Sequence, residues 1–362
     1  MQKKYEGVMS WIEQEIESGK FVQGDKLPSE NELMDRFGVS RQTIRRAIEK
    51  LTEKGVLEAR RGSGTYVSLN TRRYAGGEIR IAVMLTNVDT YIFPSIIKGI
   101  EAILFGEGCT LQICVTNNSV EKERMLLKEM IRNHSIDGLI AETVKSGIPS
   151  PNMGLYEQVE KTGAAVLFVN SFYRMLNFPH VSLNDRKAGY LATRHLIECG
   201  HTEIAGIFKS DDGQGHLRYA GYTEALLEND IRVKDSRVIW MDSEDFKMVG
   251  DQSEQNNHIL QRLKKCTACV CYNDEIAYKL IEILRNQKIS VPEDLSIVGI
   301  DNSDLAKFCL VPLTSVKNPV EELGQTAARM IVDHIRKKTE MLTIEFEPEL
   351  VIRNSVVVHR DL

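Results

Sequence analysis

Residues Leu27 to Val67 read LPSENELMDRFGVSRQTIRRAIEKLTEKGVLEARRGSGTYV, and the order of parts in this segment decides the fold of the first domain. Ser29-Glu30-Asn31-Glu32 is a capping box, in which an N-cap Ser and a Glu three residues on satisfy orphan backbone donors in both directions. Leu33, Met34 and Phe37 supply the apolar stripe of that helix, and Gly38 stops it. Ser40 caps a second helix only a few residues later, which is the tight turn of a helix-turn-helix. Ile44, Ala47, Ile48 and Leu51 then recur at i, i+3, i+4, i+7, so one face is buried, while Arg41, Gln42, Arg45, Arg46 and Glu49 stand on the other. Side chains in the first turn of a recognition helix reach base edges in the major groove, where Arg pairs with guanine through two hydrogen bonds. Arg41, Gln42, Thr43 and Arg45 occupy those places. Beyond Gly55, the runs Val56-Leu57-Glu58-Ala59 and Thr65-Tyr66-Val67 predict two strands around Arg60-Arg61-Gly62-Ser63-Gly64. Glycines let that hairpin approach a groove closely, and its arginines supply phosphate or minor-groove contacts. Arg-rich faces are commonly just solvated, but capping, turn, apolar spacing and basic hairpin coincide here in one order, which favours double-stranded DNA as partner.

Charge is distributed accordingly. The 362 residues carry a net charge of −5. Residues 1–73 hold 14 Lys/Arg against 11 Asp/Glu, leaving 32 against 40 for the remainder. A mildly basic head on an acidic body suits DNA contact by the head alone. The length predicts two to three domains. No run of about 18 apolar residues occurs, so no membrane span is expected. The N-terminal stretch carries acidic residues within its apolar positions and reads as no signal peptide; with seven cysteines lacking framework spacing, this predicts a reducing cytoplasm. Cys266-Thr-Ala-Cys269-Val-Cys271 has a metal-like look, but the run ACVCY reads as a buried strand with no second Cys/His cluster nearby, and no metal is expected.

SLNTRRYAGGE after Val67 is polar, basic and Gly-containing, which divides the chain into a head at 1–68, a linker at 69–78 and a body at 79–362. In the body, apolar runs beginning at Ile79, Leu111, Asp137, Ala164, Ile204, Ala268 and Leu295 alternate with helix-period stretches. Such alternation predicts an α/β body with parallel sheets covered on both faces, in two similar lobes. Ligands of such folds bind beyond the carboxyl ends of strands. The residues found there are Thr86, Asn87, Asp89, Tyr91 and Phe93; Glu142 and Lys145; Asn170, Ser171 and Phe172; Lys209, Asp211 and Asp212; then Arg218, Asn273, Asp274, Asp301, Asn302 and Asn318. Carboxylates, amides and Arg hydrogen-bond hydroxyls, and aromatic rings cover the apolar face of a sugar ring, so a small polyol or sugar is the natural guest. Many of these polar residues also suit turns and helix caps.

The segment PSENELMDRFGVSRQTIRRAIEKLTEKGVLEARRGSGTYV, with Tyr5, Val8, Ile12 and Ile16 at helical spacing before it, resembles the winged helix-turn-helix domain of GntR-type bacterial repressors. The resemblance implies DNA contacts from Lys4, Ser29, Glu30, Arg41, Thr43, Arg45, Arg61 and Gly62. Residues 79–357, through HLIECGHTEIAGIF, CYNDEIAYKLIEIL, VPEDLSIVGIDNSD and LTSVKNPVEELGQTAARMI, resemble the effector domain of LacI/GalR repressors, itself similar to periplasmic sugar-binding proteins. That resemblance implies Arg218, Asn273 and Asp301 as sugar ligands, with Tyr91 and Phe93 in the first loop and Asp274, Glu142 and Lys145 beside them. The pairing of such a head with such a body resembles the arabinose-responsive repressors, which implies a homodimeric transcriptional repressor released from its operator by L-arabinose or a related sugar, with no cofactor. The same architecture sensing another sugar or small metabolite stays open. An enzyme with a regulatory head is the remote alternative: Gly213-Gln-Gly215-His-Leu-Arg218 lacks the third glycine of a dinucleotide fingerprint, and no G-x-S-x-G, H-E-x-x-H or Walker lysine occurs.

Overall fold

A computed structural model of the chain describes residues 4–22, 24–60, 62–68, 78–251 and 253–359. The head comprises α1 (Lys4–Glu17), α2 (Glu30–Phe37), α3 (Arg41–Glu53), β1 (Leu57–Arg60) and β2 (Gly64–Val67). The capping box forms: Ser29 N donates to Glu32 Oε2 at 2.6 Å, and Glu32 N donates to Ser29 Oγ at 3.3 Å. Gly38 ends α2 in the left-handed region at φ 61°, and the Ser40 hydroxyl caps α3. Val8 and Ile12 of α1 meet Leu33, Ile44, Ala47 and Leu51 in a small core, closed below by Leu57 and Val67 of the hairpin. Strands β1 and β2 are antiparallel, Leu57 opposite Val67 and Arg60 opposite Gly64, with Gly62 at φ 77° in the turn. Arg61, and residues 69–77 of the expected linker, lie outside the described residues.

The body follows as β3 (Arg80–Leu85), α4 (Phe93–Gly106), β4 (Thr110–Val115), α5 (Val120–Asn133), β5 (Gly138–Ala141), α6 (Met153–Lys161), β6 (Ala165–Val169) and β7 (His180–Leu183). A second lobe begins with α7 (Asp185–Glu198) and continues through β8 (Ile204–Lys209), α8 (Gly213–Glu228), β9 (Val238–Met241), α9 (Ser243–Met248), α10 (Ser253–Leu263), β10 (Ala268–Cys271), α11 (Asp274–Asn286), β11 (Ser296–Asp301), α12 (Asp304–Phe308) and β12 (Thr314–Lys317). Then α13 (Val320–Lys337) and β13 (Ile344–Phe346) return to the first lobe, and β14 (Glu349–Val351) to the second. The two six-stranded sheets run β13-β7-β6-β5-β3-β4 and β14-β12-β11-β10-β8-β9. The chain therefore passes between lobes after β7, after β12 and after β13.

Each sheet is covered on both faces because successive strand residues point to opposite sides. Ile81, Val83 and Leu85 of β3 pack with Ile96 and Ile100 of α4 and Leu323 and Ile331 of α13, whereas Ala82 and Met84 face Leu127 of α5 and Tyr156 of α6. In the second lobe Ile207 and Cys269 face α10 and α11, and Phe208 and Val270 face α7 and α8. Cys269 and Cys271 are core residues of β10. The helix pairs α4/α13 and α7/α8 approach so closely that a methyl at Gly99 would collide with the Glu321 carbonyl and one at Gly189 with the Arg218 carbonyl.

Two differences from the sequence reading are informative. Strands β7 (HVSL) and β12 (TSVK) are short and mix polar with apolar residues, so they carry no strong strand signal, yet each is an internal strand of its sheet. The second sheet is not purely parallel either, since β14 pairs antiparallel to β12, with Val316 opposite Leu350.

Candidate functional site

On the head, Arg41, Gln42 and Arg45 are exposed on the first turns of α3, and Thr43 is half-buried with its Oγ1 2.9 Å from Ser40 Oγ. Glu30, at the start of α2, sits among these arginines: Arg45 Nε donates to its Oε1 at 2.9 Å, and Arg41 Nε lies 3.7 Å from its Oε2. Arg41 Nη2 also donates to Asn31 Oδ1 at 2.6 Å. Glu30 thus holds the arginines side by side at the end of the helix that would enter a groove. Hydrogen bonding to Glu30 raises the Arg45 pKa, so its charge is permanent. The Ser29 hydroxyl is occupied by the cap, donating to Glu32 Oε2 at 2.8 Å. Lys4 is exposed at the start of α1, and Gly62 is exposed at the hairpin tip. Arg46 turns away, its guanidinium 5.0 Å from the Tyr5 ring centroid, which makes it a clamp between α3 and α1.

In the body, both sheets have their strand order reversing beside β3 and β8, the switch point where the carboxyl ends of strands open a crevice. A cleft of about 540 Å³ occupies it between the lobes. Its lining includes Tyr91, Phe93, Glu142, Lys145, Arg218, Asn273 and Asp301, together with Thr86, Asn87, Asn170, Ser171, Lys209 and Asp212. Arg218 is the centre of this arrangement. Projecting from α8, it is buried; Nε donates to Asp185 Oδ1 at 2.8 Å, Nη1 to the Tyr272 carbonyl at 2.6 Å and Nη2 to Asp301 Oδ1 at 3.3 Å. The Tyr272 ring lies 4.8 Å from its guanidinium carbon. Burial acts against the charged guanidinium, but Asp185 and Asp301 outweigh it and raise its pKa. Burial lifts the Asp185 carboxyl to about 6, opposed by Arg218.

Asp301 joins the lobes. Its Oδ2 accepts a hydrogen bond of 2.5 Å from the Tyr91 hydroxyl, which comes from the loop after β3, and its Oδ1 accepts one of 3.2 Å from Asn318 Nδ2. Its backbone, at φ 102°, is strained for a non-glycine residue, a cost borne where the carboxylate must be aimed. Glu142 is buried, which raises its pKa, and accepts hydrogen bonds from Thr86 N at 2.9 Å and Asn170 Nδ2 at 2.7 Å. For Asp212 burial is opposed by Lys209, Tyr272 and Gln214, and the net shift is downward. On the far rim Ser146 Oγ donates to Asp212 Oδ1 at 3.0 Å, Gly147 N donates to the Asp211 carbonyl at 3.1 Å, and Lys145 Nζ is 3.8 Å from Asp211 Oδ2. The arrangement is rich in donors and acceptors and walled by rings, as recognition of a small polyhydroxylated molecule requires.

The structure does not bring every expected residue to this lining. Asp274 is the main correction: as the first residue of α11 its carboxylate turns into the second lobe, accepting from Ser303 N at 2.7 Å and Ser315 Oγ at 2.6 Å. Burial and the neighbouring Asp301 lift its pKa to about 7. Asn302 accepts from Arg353, and Phe172 stacks on His180 at 3.6 Å. Asn318 supports Asp301 from behind. Conversely, Asp185, Gln214, Tyr272, Asn118 and Phe246 belong to the arrangement although the strand-end pattern of the sequence does not point to them. Asp185 follows β7, whose weak strand signal hid the carboxyl end it marks. Among the described residues there is no cluster of three or more His, Cys, Asp or Glu placed to hold a metal, and no helix long and apolar enough to cross a membrane.

A winged DNA-reading head joined to a two-lobed LacI-type body defines a transcriptional regulator controlled by a small molecule. Residues 4–67 match the family described as bacterial regulatory proteins, gntR family, and residues 193–356 match the periplasmic binding protein-like domain. The arabinose metabolism transcriptional repressor of Halalkalibacterium halodurans is 37% identical over 365 residues, 98% of this chain and 97% of its own length. The protein of the same name from Geobacillus stearothermophilus is 36% identical, covering 96% of this chain and 95% of its own length. Among solved structures, a LacI family transcriptional regulator from Enterococcus faecium with bound ribose superposes with a TM-score of 0.65 at 25% identity, covering 78% of this chain and 100% of that one. The chain belongs to the family of arabinose metabolism transcriptional repressors.

Proposed function

We propose that this chain represses genes for the use of L-arabinose and leaves its operator when the sugar enters the cleft around Arg218. The observation that carries the reading is the convergence of Arg218, Asp301, Asn273 and Glu142 with the Tyr91 and Phe93 rings on one interlobe cleft, in a chain that also presents Arg41 and Arg45 on a recognition helix. Arg218, Asn273, Asp301, Glu142 and Lys145 hydrogen-bond the sugar hydroxyls, and the rings cover its apolar face. Lys4, Ser29, Glu30, Arg41, Gln42, Thr43, Arg45, Arg61 and Gly62 contact DNA. Residues 1–68 form the head, 69–78 the linker and 79–362 the sensing and dimerisation body. A cytoplasmic homodimer sets two heads at the spacing of a near-palindromic site. Sugar binding changes the fit of that pair only through its differential affinity for two lobe arrangements, a coupling of typically ~1–3 kcal/mol. The chain performs no catalysis.

The test selects a duplex from a random pool with the full chain, then titrates it by gel shift at fixed salt with and without L-arabinose, beside calorimetry against a panel of pentoses and hexoses. Heat and release with L-arabinose are expected. Heat with a different sugar alone reassigns the effector, and failure to enrich any duplex removes the repressor reading.

A further inference from the structure

Outside the cleft, the first lobe contains a buried carboxylate with an unusual set of partners. Glu123 of α5 has no exposed surface. Its Oε1 accepts hydrogen bonds from Tyr156 Oη at 2.7 Å, Tyr173 Oη at 3.0 Å and Val144 N at 3.4 Å, and its Oε2 accepts from Asn152 Nδ2 at 2.7 Å. Tyr173 Oη also lies 2.7 Å from the Val144 carbonyl oxygen. Both backbone polar groups of Val144 are therefore held by side chains of this cluster. Tyr173 has a single hydroxyl proton and cannot serve the carboxylate and the carbonyl together. Burial raises the Glu123 carboxyl above its ordinary range, and the one Tyr173 hydroxyl ties that carboxyl to the Val144 carbonyl.

Val144 sits in the middle of the loop that builds one wall of the cleft. Before it, Glu142 and Thr143 line the cleft, and Thr143 Oγ1 lies 2.9 Å from Ser171 Oγ. After it, Lys145 lines the cleft from a left-handed backbone at φ 48°. Ser146 and Gly147 then make the contacts to Asp211, Asp212 and Gly213 of the other lobe. A buried unpaired carboxyl would be expensive in a core. Here it is matched with four donors, two of which, Val144 N and Tyr173 Oη, bear directly on one short loop.

We propose that Glu123 and Tyr173 are positioning residues for the effector cleft, which fix the backbone at Val144 and thereby aim Thr143 and Lys145 into the cleft and Ser146 and Gly147 across it. They touch no ligand and act through the loop. The role in sugar affinity rests on the effector reading given above; the role in holding the loop does not.

The test uses the full chain with Tyr173→Phe, which keeps the ring packed against Tyr156 and Phe168, and Glu123→Gln, which keeps shape and hydrogen bonding to Tyr173. Amide exchange is read at residues 143–147 and across the rest of the first lobe, and L-arabinose affinity is read by calorimetry. Tyr173→Phe is expected to speed exchange selectively at 143–147 and to weaken L-arabinose binding roughly five- to tenfold, as loss of one buried hydrogen bond would. Glu123→Gln is expected to recover most of both. Exchange unchanged at 143–147, or raised uniformly through the lobe, overturns the proposal. So does selective loosening with unaltered sugar affinity, since the loop would then be held for stability alone. A wild-type chain giving no heat with L-arabinose defeats the effector reading, while the exchange measurement still decides whether the cluster holds the loop.

Discussion

Arg45 and Arg218 carry the same group and both pair with carboxylates, yet they are opposite devices. The Arg45 side chain is 60% exposed and its Glu30 partner 34%, so water screens the pair and opening it costs little. Arg218 is 2% exposed between Asp185 at 1% and Asp301 at 3%, and removing one member strands a buried charge. An exposed pair leaves its cation free to exchange Glu30 for another acceptor. A buried pair fixes donors in one geometry. The head therefore uses its arginine as a movable contact, and the body uses its arginine as a frame.

Three substitutions test that contrast by their effect on folding stability. Arg218→Ala leaves Asp185 and Asp301 without their cation and is expected to destabilise the body by about 3–5 kcal/mol and to abolish sugar-dependent release; denaturant titration and gel shift measure the two effects, and a stable variant that still releases DNA would erase the contrast. Asp274 ranks next. Its folded-state pKa of about 7 exceeds the ordinary 3.8, so the stability linked to its proton is complete below 3.8 and is lost as pH rises through about 7. Asp185, at about 6, acts in the same direction. Body stability in urea is thus expected to fall between pH 4 and 7, and more shallowly in Asp274→Asn, which has no proton to lose; identical slopes would remove Asp274 from this account. Arg45→Ala is expected to leave the melting temperature almost unchanged while reducing affinity for the selected duplex roughly ten- to hundredfold, the scale of one lost two-bond base contact. Undiminished DNA affinity would make Arg45 a surface charge and nothing more.

The head was legible because its signals are local. Ser29, Glu32, Gly38 and Ser40 specify helix ends within a few residues of themselves, and the structure shows those caps formed. The body was legible as alternating strands and helices for the same reason. Its misreadings are non-local. HVSL is made an internal strand by pairing with Phe168 and Val169 on one side and with β13, far along the chain, on the other, so Asp185 at its end went unseen. Asp274 directly follows Asn273, which lines the cleft, yet the direction of its side chain is decided by Ser303 and Ser315, far along the chain. Position after a strand says which residues are near a cleft. It does not say which way they point.

The glycine contacts of the body have a mechanical meaning. Where α4 meets α13 and α7 meets α8, backbone rests on backbone with no cushion of side chains between, and close-packed interiors are already poorly compressible. Each lobe is consequently braced by a helix pair with little room to compress. Compliance is left to the three segments of chain that cross between lobes and to the hollow they span.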